Sequence, residues 1–285
     1  MNPCSICSSD RSRPVFNLNG YTVARCEACS HVFVSAGLVA GELENAYGQA
    51  YYDSAGDAAG VGYQDYLRDI DARTRGFKDR LGQIESRVGA RGRLLDYGCA
   101  VGLMVKVAAE SGWEAVGYER SEWAAQYGRK NFGLDIVLGD GRNVPRFEGR
   151  FDVVTMWDVV EHLEHPRAVL ETVSGWLKPG GLLALNTVNS SSVGARLAGV
   201  HWRHLAPPHH LQFFSRASLR RLLKDCGFEV LSQHNQGVMM TADRRKTKLQ
   251  GPRAWIEALG THWRTKKLAT VLNLLDEIEM IAVRR

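Results

Sequence analysis

The chain has 285 residues, 45% of them hydrophobic, which is enough for one large α/β core and a small appended module. Its formal net charge of +5 is only mildly basic and does not by itself indicate a nucleic-acid partner. The sequence shows neither a run of about 18 apolar residues nor a basic-then-apolar leader, so we expect a soluble, cytoplasmic protein that contacts no membrane.

Two C-x-x-C pairs open the chain: Cys4 with Cys7 and, after 18 intervening residues, Cys26 with Cys29. This spacing is typical of a structural zinc site, in which four thiolates leave no coordination position open for catalysis. Disulfide bonds are the alternative, and they are disfavoured without a secretory leader. We therefore expect a zinc ribbon over residues 1–36, with a core separate from that of the rest of the chain.

Residues 37–90 read as a linker followed by an amphipathic helix. The linker is rich in Gly and Ala, and residues 63–88 carry apolar side chains at helical spacing among many charges. We expect this helix to pack on the domain that follows.

A strand–turn–helix–strand unit over residues 93–120 organises the rest of the chain. The first strand ends at Asp96, and a glycine turn leads into a helix that Ser111 and Gly112 stop. The second strand ends at Glu119. Glycines at such a turn let a ligand approach the backbone.

The residues of this unit indicate which ligand it suits. The G-x-G-x-x-G pattern of dinucleotide sites is broken, because position 100 is Ala. A carboxylate at Asp96 would repel a pyrophosphate and attract an ammonium or a sulfonium. Glu119 stands where an acidic residue can accept both hydroxyls of a ribose. An ordinary crossover explains the glycines but not the two acidic strand ends, so S-adenosylmethionine (SAM) is the ligand that fits.

The stretch resembles the D-x-G-C-x-x-G motif of class I SAM-dependent methyltransferases, and the resemblance covers the chain from about residue 91. It implies an α/β fold with a Rossmann-like, mostly parallel sheet and an antiparallel edge strand. Asp140 ends the next predicted strand, where this fold places an adenine acceptor, although a turn aspartate before Gly141 is a competing interpretation. The cofactor residues that the resemblance implies are Asp96, Gly98, Cys99, Gly102, Glu119, Asp140 and Trp157.

Further predicted strands complete the sheet. Residues 136–138, 151–156 and 182–188 read as apolar parallel strands, and the L-K-P-G-G segment before residue 182 also resembles this family. The last two strands, residues 228–232 and 277–283, form the antiparallel edge pair in the family. Predicted helices cover residues 123–130, 166–177 and 215–225.

The segment D-V-V-E-H-L-x-x-P after the fourth strand resembles that of ubiquinone-pathway O-methyltransferases. In some of these enzymes an acidic-x-x-Glu-His group is associated with a divalent ion. We expect Asp158, Glu161 and His162 to cap and orient a helix, because first-turn residues more often do so, and a divalent ion bound by all three is the alternative.

The domain over residues 91–285 carries two insertions, 189–214 and 239–272. The first contains H-L-Q-F-F-S, which resembles a segment that covers the acceptor pocket in relatives and implies His210 as the general base, with His162 second. His201, His204 and His209 are further candidates, and a histidine that only shapes the lid is the alternative. The second insertion is basic, which suits either a solvated helix face or contact with a phosphorylated substrate.

We expect a SAM-dependent methyltransferase that methylates oxygen or carbon of a small molecule. The zinc ribbon paired with this core resembles deoxysugar C-methyltransferases, so a nucleotide sugar is one candidate substrate. An RNA methyltransferase is an alternative, but WDVVEH stands where base N-methylation enzymes usually carry N/D-P-P-Y/F, and the ribbon lacks a basic stripe interleaved with aromatics. A non-catalytic SAM-binding protein is the third class. The sequence indicates no oligomeric state.

Overall fold

The structure is a computed structural model that describes residues 2–38, 67, 70–139, 147, 149–236 and 276–285. Its first elements are β1 Ser12–Leu18, β2 Tyr21–Cys26, β3 Val32–Ala36, α1 Ile70–Glu85, β4 Arg93–Tyr97, α2 Leu103–Glu110, β5 Glu114–Glu119, α3 Glu122–Phe132 and β6 Ile136–Leu138. They are followed by β7 Phe151–Trp157, α4 Pro166–Trp176, β8 Leu177–Val188, α5 Val193–Ala198, β9 Gln212–Phe213, α6 Arg216–Asp225, β10 Phe228–Gln236 and β11 Glu277–Arg284.

A seven-stranded sheet in the order β10-β11-β8-β7-β4-β5-β6 forms the centre of the molecule. The neighbouring strands from β8 to β6 are parallel, whereas β11 runs antiparallel to both β8 and β10. Strands such as β7 are continuous apolar runs because helices cover both faces of a parallel sheet. The predicted Rossmann-like fold with an antiparallel edge is therefore confirmed.

One strand begins earlier than the sequence predicts. Strand β8 starts at Leu177, directly after α4, and includes the K-P-G-G segment that we read as a break. Leu177 pairs with Phe151, and regular pairing resumes at Leu182 opposite Val153. The segment is thus an irregularity within the strand, where Gly180 adopts a φ of 78° that favours glycine.

The ribbon forms a second, antiparallel sheet in the order β1-β2-β3-β9. Its fourth strand, β9, comes from the first insertion, nearly 180 residues further along the chain. This pairing was not predicted, because a two-residue strand has no periodicity to detect.

The ribbon and the large sheet share one core. Ile6 and Phe33 of the ribbon belong to the same buried cluster, here called the main core, as Tyr97, Trp176 and Leu222 of the large domain. Ribbon residue His31 also packs its ring 5.0 Å from that of Phe214. The expectation of separate cores is therefore wrong, since so short a segment cannot bury its own apolar side chains without a neighbour.

Several sequence predictions lie outside the described residues. They comprise the linker from residue 39 onward, the first turns of the predicted amphipathic helix, Asp140 and the basic insertion over residues 239–272. Within the described part, no helix is both long enough and apolar enough to span a bilayer.

The shared core predicts that a ribbon mutation destabilises the large domain. Phe33→Ala should cost about 3–5 kcal/mol of unfolding free energy, as is usual for a fully buried Phe. The first tryptophan of the chain is Trp113, so every tryptophan whose fluorescence reports unfolding lies outside the ribbon. Val15→Ala, at a half-buried ribbon position that belongs to no buried cluster of the described residues, is the control. An unchanged fluorescence midpoint in Phe33→Ala would contradict the shared core.

Candidate functional site

The turn after β4 is built from residues in left-handed conformations. Gly98, Ala100 and Gly102 have φ values of 74°, 51° and 85°. A Cβ at Gly98 would lie 2.6 Å from Cγ2 of Val159, and one at Gly102 would lie 2.5 Å from Cδ1 of Leu134. Both glycines are thus required by backbone conformation and by close packing.

The carboxylate of Glu119 ties this turn to the next helix. Its Oε2 accepts from the backbone N–H of Ala100 at 2.8 Å, and its Oε1 accepts from that of Ser121 at 2.8 Å. Ser121 in turn caps α3 by accepting from the N–H of Ala124. Burial raises the pKa of Glu119. Each carboxylate oxygen can accept more than one hydrogen bond, so the edge at which a ribose would bind keeps acceptor capacity.

Asp96 is buried at the end of β4, where its Oδ1 accepts from Thr155 Oγ1 at 2.6 Å. Burial, aided by the charge of Glu119 and opposed by that hydrogen bond, raises the pKa of Asp96 to about 7. A nearby cation would stabilise the ionised form. The pair of strand-end carboxylates therefore suits a positively charged ligand, as the sequence indicated.

Two other predicted cofactor residues have different surroundings. Trp157 is buried beside α1, with the guanidinium of Arg80 4.4 Å from its ring centroid. Its indole N–H finds no hydrogen-bond acceptor among the described residues, which leaves a buried donor for a ligand. Cys99 is buried in the core, and a Cβ at Gly117 would lie 2.6 Å from its sulfur. Burial raises the pKa of the Cys99 thiol well above its usual value, so this side chain is a neutral packing group.

Asp158 follows β7 with a φ of 55°, an uncommon value for a residue other than glycine. Asn186 holds this conformation, because its Oδ1 accepts from the Asp158 N–H and its Nδ2 donates to Asp158 Oδ1, both at 2.7 Å. The next residues turn back as a 3-10 helix, Val160–His162, beneath the first insertion.

Glu161, His162 and His210 lie together at this end of the sheet. Each offers one ligand atom, and the three atoms lie within 4.8 Å of one another. The two imidazole rings pack edge to face with centroids 4.8 Å apart. The structure thus brings together the two histidines that the sequence singled out as bases, although 48 positions separate them along the chain.

Both histidines are held in one tautomer. His162 Nδ1 donates to the carbonyl of His209 at 2.7 Å, and His210 Nδ1 donates to the carbonyl of His204 at 2.8 Å. Because a carbonyl can only accept, Nδ1 carries the hydrogen in each ring and Nε2 is the basic nitrogen. Burial lowers the pKa of His162 to about 4. Burial and the nearby His162 ring lower the pKa of His210 to about 3. Both rings are neutral at physiological pH.

The remaining histidines of the first insertion are less suited to act as a base. His201 is exposed, and His204 Nε2 accepts from Arg203 Nε at 2.9 Å, which occupies its lone pair. His209 is buried and supports His162 through its backbone carbonyl.

The cluster of Glu161, His162 and His210 has the donor set of a metal site. A carboxylate and two imidazoles suit a divalent transition metal or zinc, and carbonyl partners on Nδ1 are the usual support of metal-binding histidines. Burial and the charge of Asp158 raise the pKa of Glu161 well above its usual range, and a nearby cation would oppose that shift. His210 is the third member of this group, in the place that the disfavoured metal reading of the sequence gave to Asp158.

The four ribbon cysteines also converge. Their sulfurs lie within 4.8 Å of one another, with Cys4 to Cys29 and Cys7 to Cys26 each at 3.5 Å, and none forms a disulfide. A tetrahedral zinc ion with sulfur ligands at about 2.3 Å places its sulfurs about 3.8 Å apart, close to these separations. The donor set therefore fits the predicted structural zinc.

Sequence reasoning missed the polar residues that orient these groups. Thr155, Asn186 and Thr187 are buried polar side chains in apolar strands; they bond Asp96, Asp158 and Glu161, respectively. The sequence could have indicated them, because a polar residue inside an otherwise apolar, buried strand needs a hydrogen-bond partner. Gln212 gave no such signal, since its partners lie in the ribbon and after the 3-10 helix.

Comparison with known proteins agrees with this geometry. A family model described as a methyltransferase domain matches residues 66–233. The chain is 30% identical over 174 residues to the ubiquinone biosynthesis O-methyltransferase of Leptothrix cholodnii, covering 56% of this chain and 73% of that protein. It is 31% identical over 150 residues to the mitochondrial ubiquinone biosynthesis O-methyltransferase of Schizosaccharomyces pombe, covering 47% of this chain and 53% of that protein.

The fold is shared with solved structures. A SAM-dependent methyltransferase from Archaeoglobus fulgidus superposes with a TM-score of 0.53 over 77% of this chain and 100% of that one. The two sequences are 20% identical, so this similarity concerns the fold alone.

Proposed function

Because a methyltransferase-domain model matches more than half of it, the chain belongs to the class I SAM-dependent methyltransferases, and we propose that it methylates an acidic hydroxyl group of a small molecule. The observation that carries this proposal is the pairing of His162 with His210, two neutral bases at the strand ends where the ligands of open α/β sheets bind.

SAM, when bound, supplies a methyl group that is electrophilic because it is attached to a sulfonium. We propose that Asp96 attracts its positive charge, that Glu119 accepts from its ribose hydroxyls and that the Trp157 N–H donates to it. Gly98, Cys99 and Gly102 would line the approach with their backbone, and Asp140 keeps its proposed role at the adenine. The raised pKa of Asp96 and the buried Trp157 N–H support this assignment.

The protein itself must position the acceptor and take its proton. We propose His210 Nε2 as the general base and His162 as its neighbour and second candidate. The single tautomer of each ring supports this role, because a base must present its lone pair before the acceptor arrives. Glu161 lies close enough to both rings for its ionised carboxylate to stabilise the imidazolium that forms when a ring takes up the proton.

The same site favours one class of acceptor. A base whose pKa is about 3 takes a proton more readily from a phenol, with a pKa of about 10, than from the less acidic hydroxyl of a sugar. The names of the relatives also favour a small molecule over RNA. A phosphorylated nucleotide sugar is the second candidate, and the basic segment that favours it lies outside the described residues.

We also propose one structural zinc ion bound by Cys4, Cys7, Cys26 and Cys29. The convergence of four reduced sulfurs in a ribbon supports it. With every ligand position occupied by sulfur, this zinc would stabilise the ribbon and take no part in methyl transfer.

Our first test of the cofactor site concerns protons. Below about pH 7 Asp96 carries a proton, and the cation should displace it, so SAM affinity should rise as pH increases through 7. Calorimetry in two buffers of different ionisation enthalpy should detect proton release on binding, and Asp96→Asn should abolish that release.

Glu119→Ala should weaken SAM binding by about 2–3 kcal/mol, as for hydrogen bonds to a charged group, whereas Glu122→Ala, at an exposed position, should leave it unchanged. Unchanged affinity in both Asp96→Ala and Glu119→Ala would refute the site.

Our second test concerns the base. With SAM labelled in its methyl group, the chain should label a catechol probe in preference to a nucleotide sugar or ribosomal RNA.

His210→Ala should lower the rate of methyl transfer about 10²–10⁴-fold with SAM affinity unchanged. His201→Ala, at an exposed position of the same insertion, should leave the rate unchanged. Because both proposed bases are already neutral at pH 5, the wild-type rate should show no histidine inflection between pH 6 and 9.

Two outcomes would contradict the assignment of His210. Near-normal turnover of His210→Ala across that pH range would make the histidine structural. Alternatively, activity lost to a chelator and restored by Mg²⁺ or Mn²⁺, which bind thiolate sites poorly, would assign Glu161, His162 and His210 to a metal ion.

The zinc proposal predicts about one zinc ion per purified chain by elemental analysis. Cys4→Ser should lose the metal and lower the unfolding midpoint of the whole chain, because Cys4 belongs to the main core. Cys226→Ser, at a buried cysteine outside the cluster, should retain it. Native mass spectrometry of the wild-type chain without any bound metal, under non-chelating conditions, would exclude the site.

A further inference from the structure

The ribbon is bonded directly to the segment that carries the proposed base. Strand β9 pairs with β3, with Phe33 opposite Gln212. Just before β9, the carbonyl of Leu211 accepts from the N–H of Val34, and the N–H of Leu211 donates to the carbonyl of Glu161, both at 2.8 Å. The residues after His210 are thus held between the ribbon and the 3-10 helix that carries His162.

The side chain of Gln212 joins the same three parts of the molecule. Its Oε1 accepts from Ser5 Oγ at 2.7 Å and from His31 Nε2 at 2.9 Å, and its Nε2 donates to the carbonyl of Leu163 at 2.9 Å. Since a carbonyl can only accept, the Leu163 contact requires the amide nitrogen on that side. Both lone pairs of the amide oxygen therefore face ribbon donors. Gln212 is only 3% exposed, so water cannot replace these bonds.

The two donors come from the two cysteine knuckles. Ser5 lies between Cys4 and Cys7, and His31 follows Cys29 by two residues. The amide oxygen thus bonds one residue beside each C-x-x-C pair. On the other side it bonds the residue after His162, and it stands two residues after His210.

We propose that Gln212 is a positioning residue through which the ribbon sets the relative placement of His162 and His210. This inference rests on the proposed function of those two histidines. Strand pairing and the backbone bonds of Leu211 hold β9 between the ribbon and Glu161. The Gln212 amide adds a side-chain link from Ser5 and His31 of the ribbon to Leu163, at the end of the 3-10 helix. A displacement of about 1 Å between a base and its acceptor can cost about 10²-fold in rate, so this link acts on catalysis rather than on cofactor binding.

The test uses the full-length chain with Gln212→Leu, which keeps the side-chain volume and removes all three hydrogen bonds. Gln233→Leu is the matched control, because the Gln233 amide bonds only the exposed Arg220 among the contacts described and lies on β10. Two-bond nitrogen–proton NMR spectra of the histidine rings report the tautomer and surroundings of His162 and His210 without any acceptor. Calorimetry of SAM binding and elemental analysis of zinc accompany the spectra.

In Gln212→Leu, we expect the His162 and His210 signals to shift or broaden while zinc content is unchanged and SAM affinity stays within about twofold. With the catechol probe, kcat should fall about 10–10²-fold, and Gln233→Leu should match the wild type in every measurement. If Gln212→Leu does not fold, Ser5→Ala removes one of the three bonds. Ser9→Ala is its control, at a half-buried ribbon serine whose hydroxyl bonds only Arg11 among the contacts described.

Ring signals in Gln212→Leu identical to those of Gln233→Leu, or in Ser5→Ala identical to those of Ser9→Ala, would overturn the proposal. Loss of SAM affinity in parallel with the ring changes would also overturn it, in favour of a purely structural role. If instead the wild type transfers no methyl group or His210→Ala is fully active, the proposed function fails. The ring spectra would still decide whether Gln212 places the two histidines.

Discussion

The buried carboxylate of Glu119 is the contact on which the cofactor end of the sheet depends. A charged group without partners would be too costly to bury, and here each oxygen accepts from a backbone N–H, one in the glycine turn and one at the start of α3. The same two bonds hold a turn that contains Ala100 in a left-handed conformation. Turn, second strand and next helix are thereby fixed relative to one another around one side chain.

Burial determines the properties of the cluster that we propose as the acceptor end of the site. Burial lowers the pKa of His162 and His210, so both rings are neutral, and it raises the pKa of Glu161 beside them well above its usual range. A cluster in this state costs little electrostatic energy at rest, and it responds strongly when a proton or a cation arrives. The backbone carbonyls of residues 204 and 209 set the direction of that response by fixing the tautomers.

The ribbon connects these observations to the N-terminus. Its apolar residues complete the main core, its third strand pairs with β9, and its two knuckles donate to one amide beside the histidines. A segment of this size has too little apolar surface to fold alone, so its stability and that of the large domain are coupled. Zinc binding in the ribbon, as proposed, would therefore also stabilise the large domain.

The sequence by itself determined the parts of this protein that depend on local chemistry. Short stretches of sequence encode these features, because local backbone conformation and strand periodicity require particular residues. They are the glycine turn, the acidic strand ends at residues 96 and 119, the order of strands and helices, and the cysteine spacing. Only the tertiary structure decided which distant groups meet. In the tertiary structure His162 packs against His210, and Gln212 accepts hydrogen bonds from the ribbon. The ribbon and the large domain, which the sequence suggested would have separate cores, share one. These contacts arise where chain segments far apart in sequence pack together, and no local pattern encodes such a meeting.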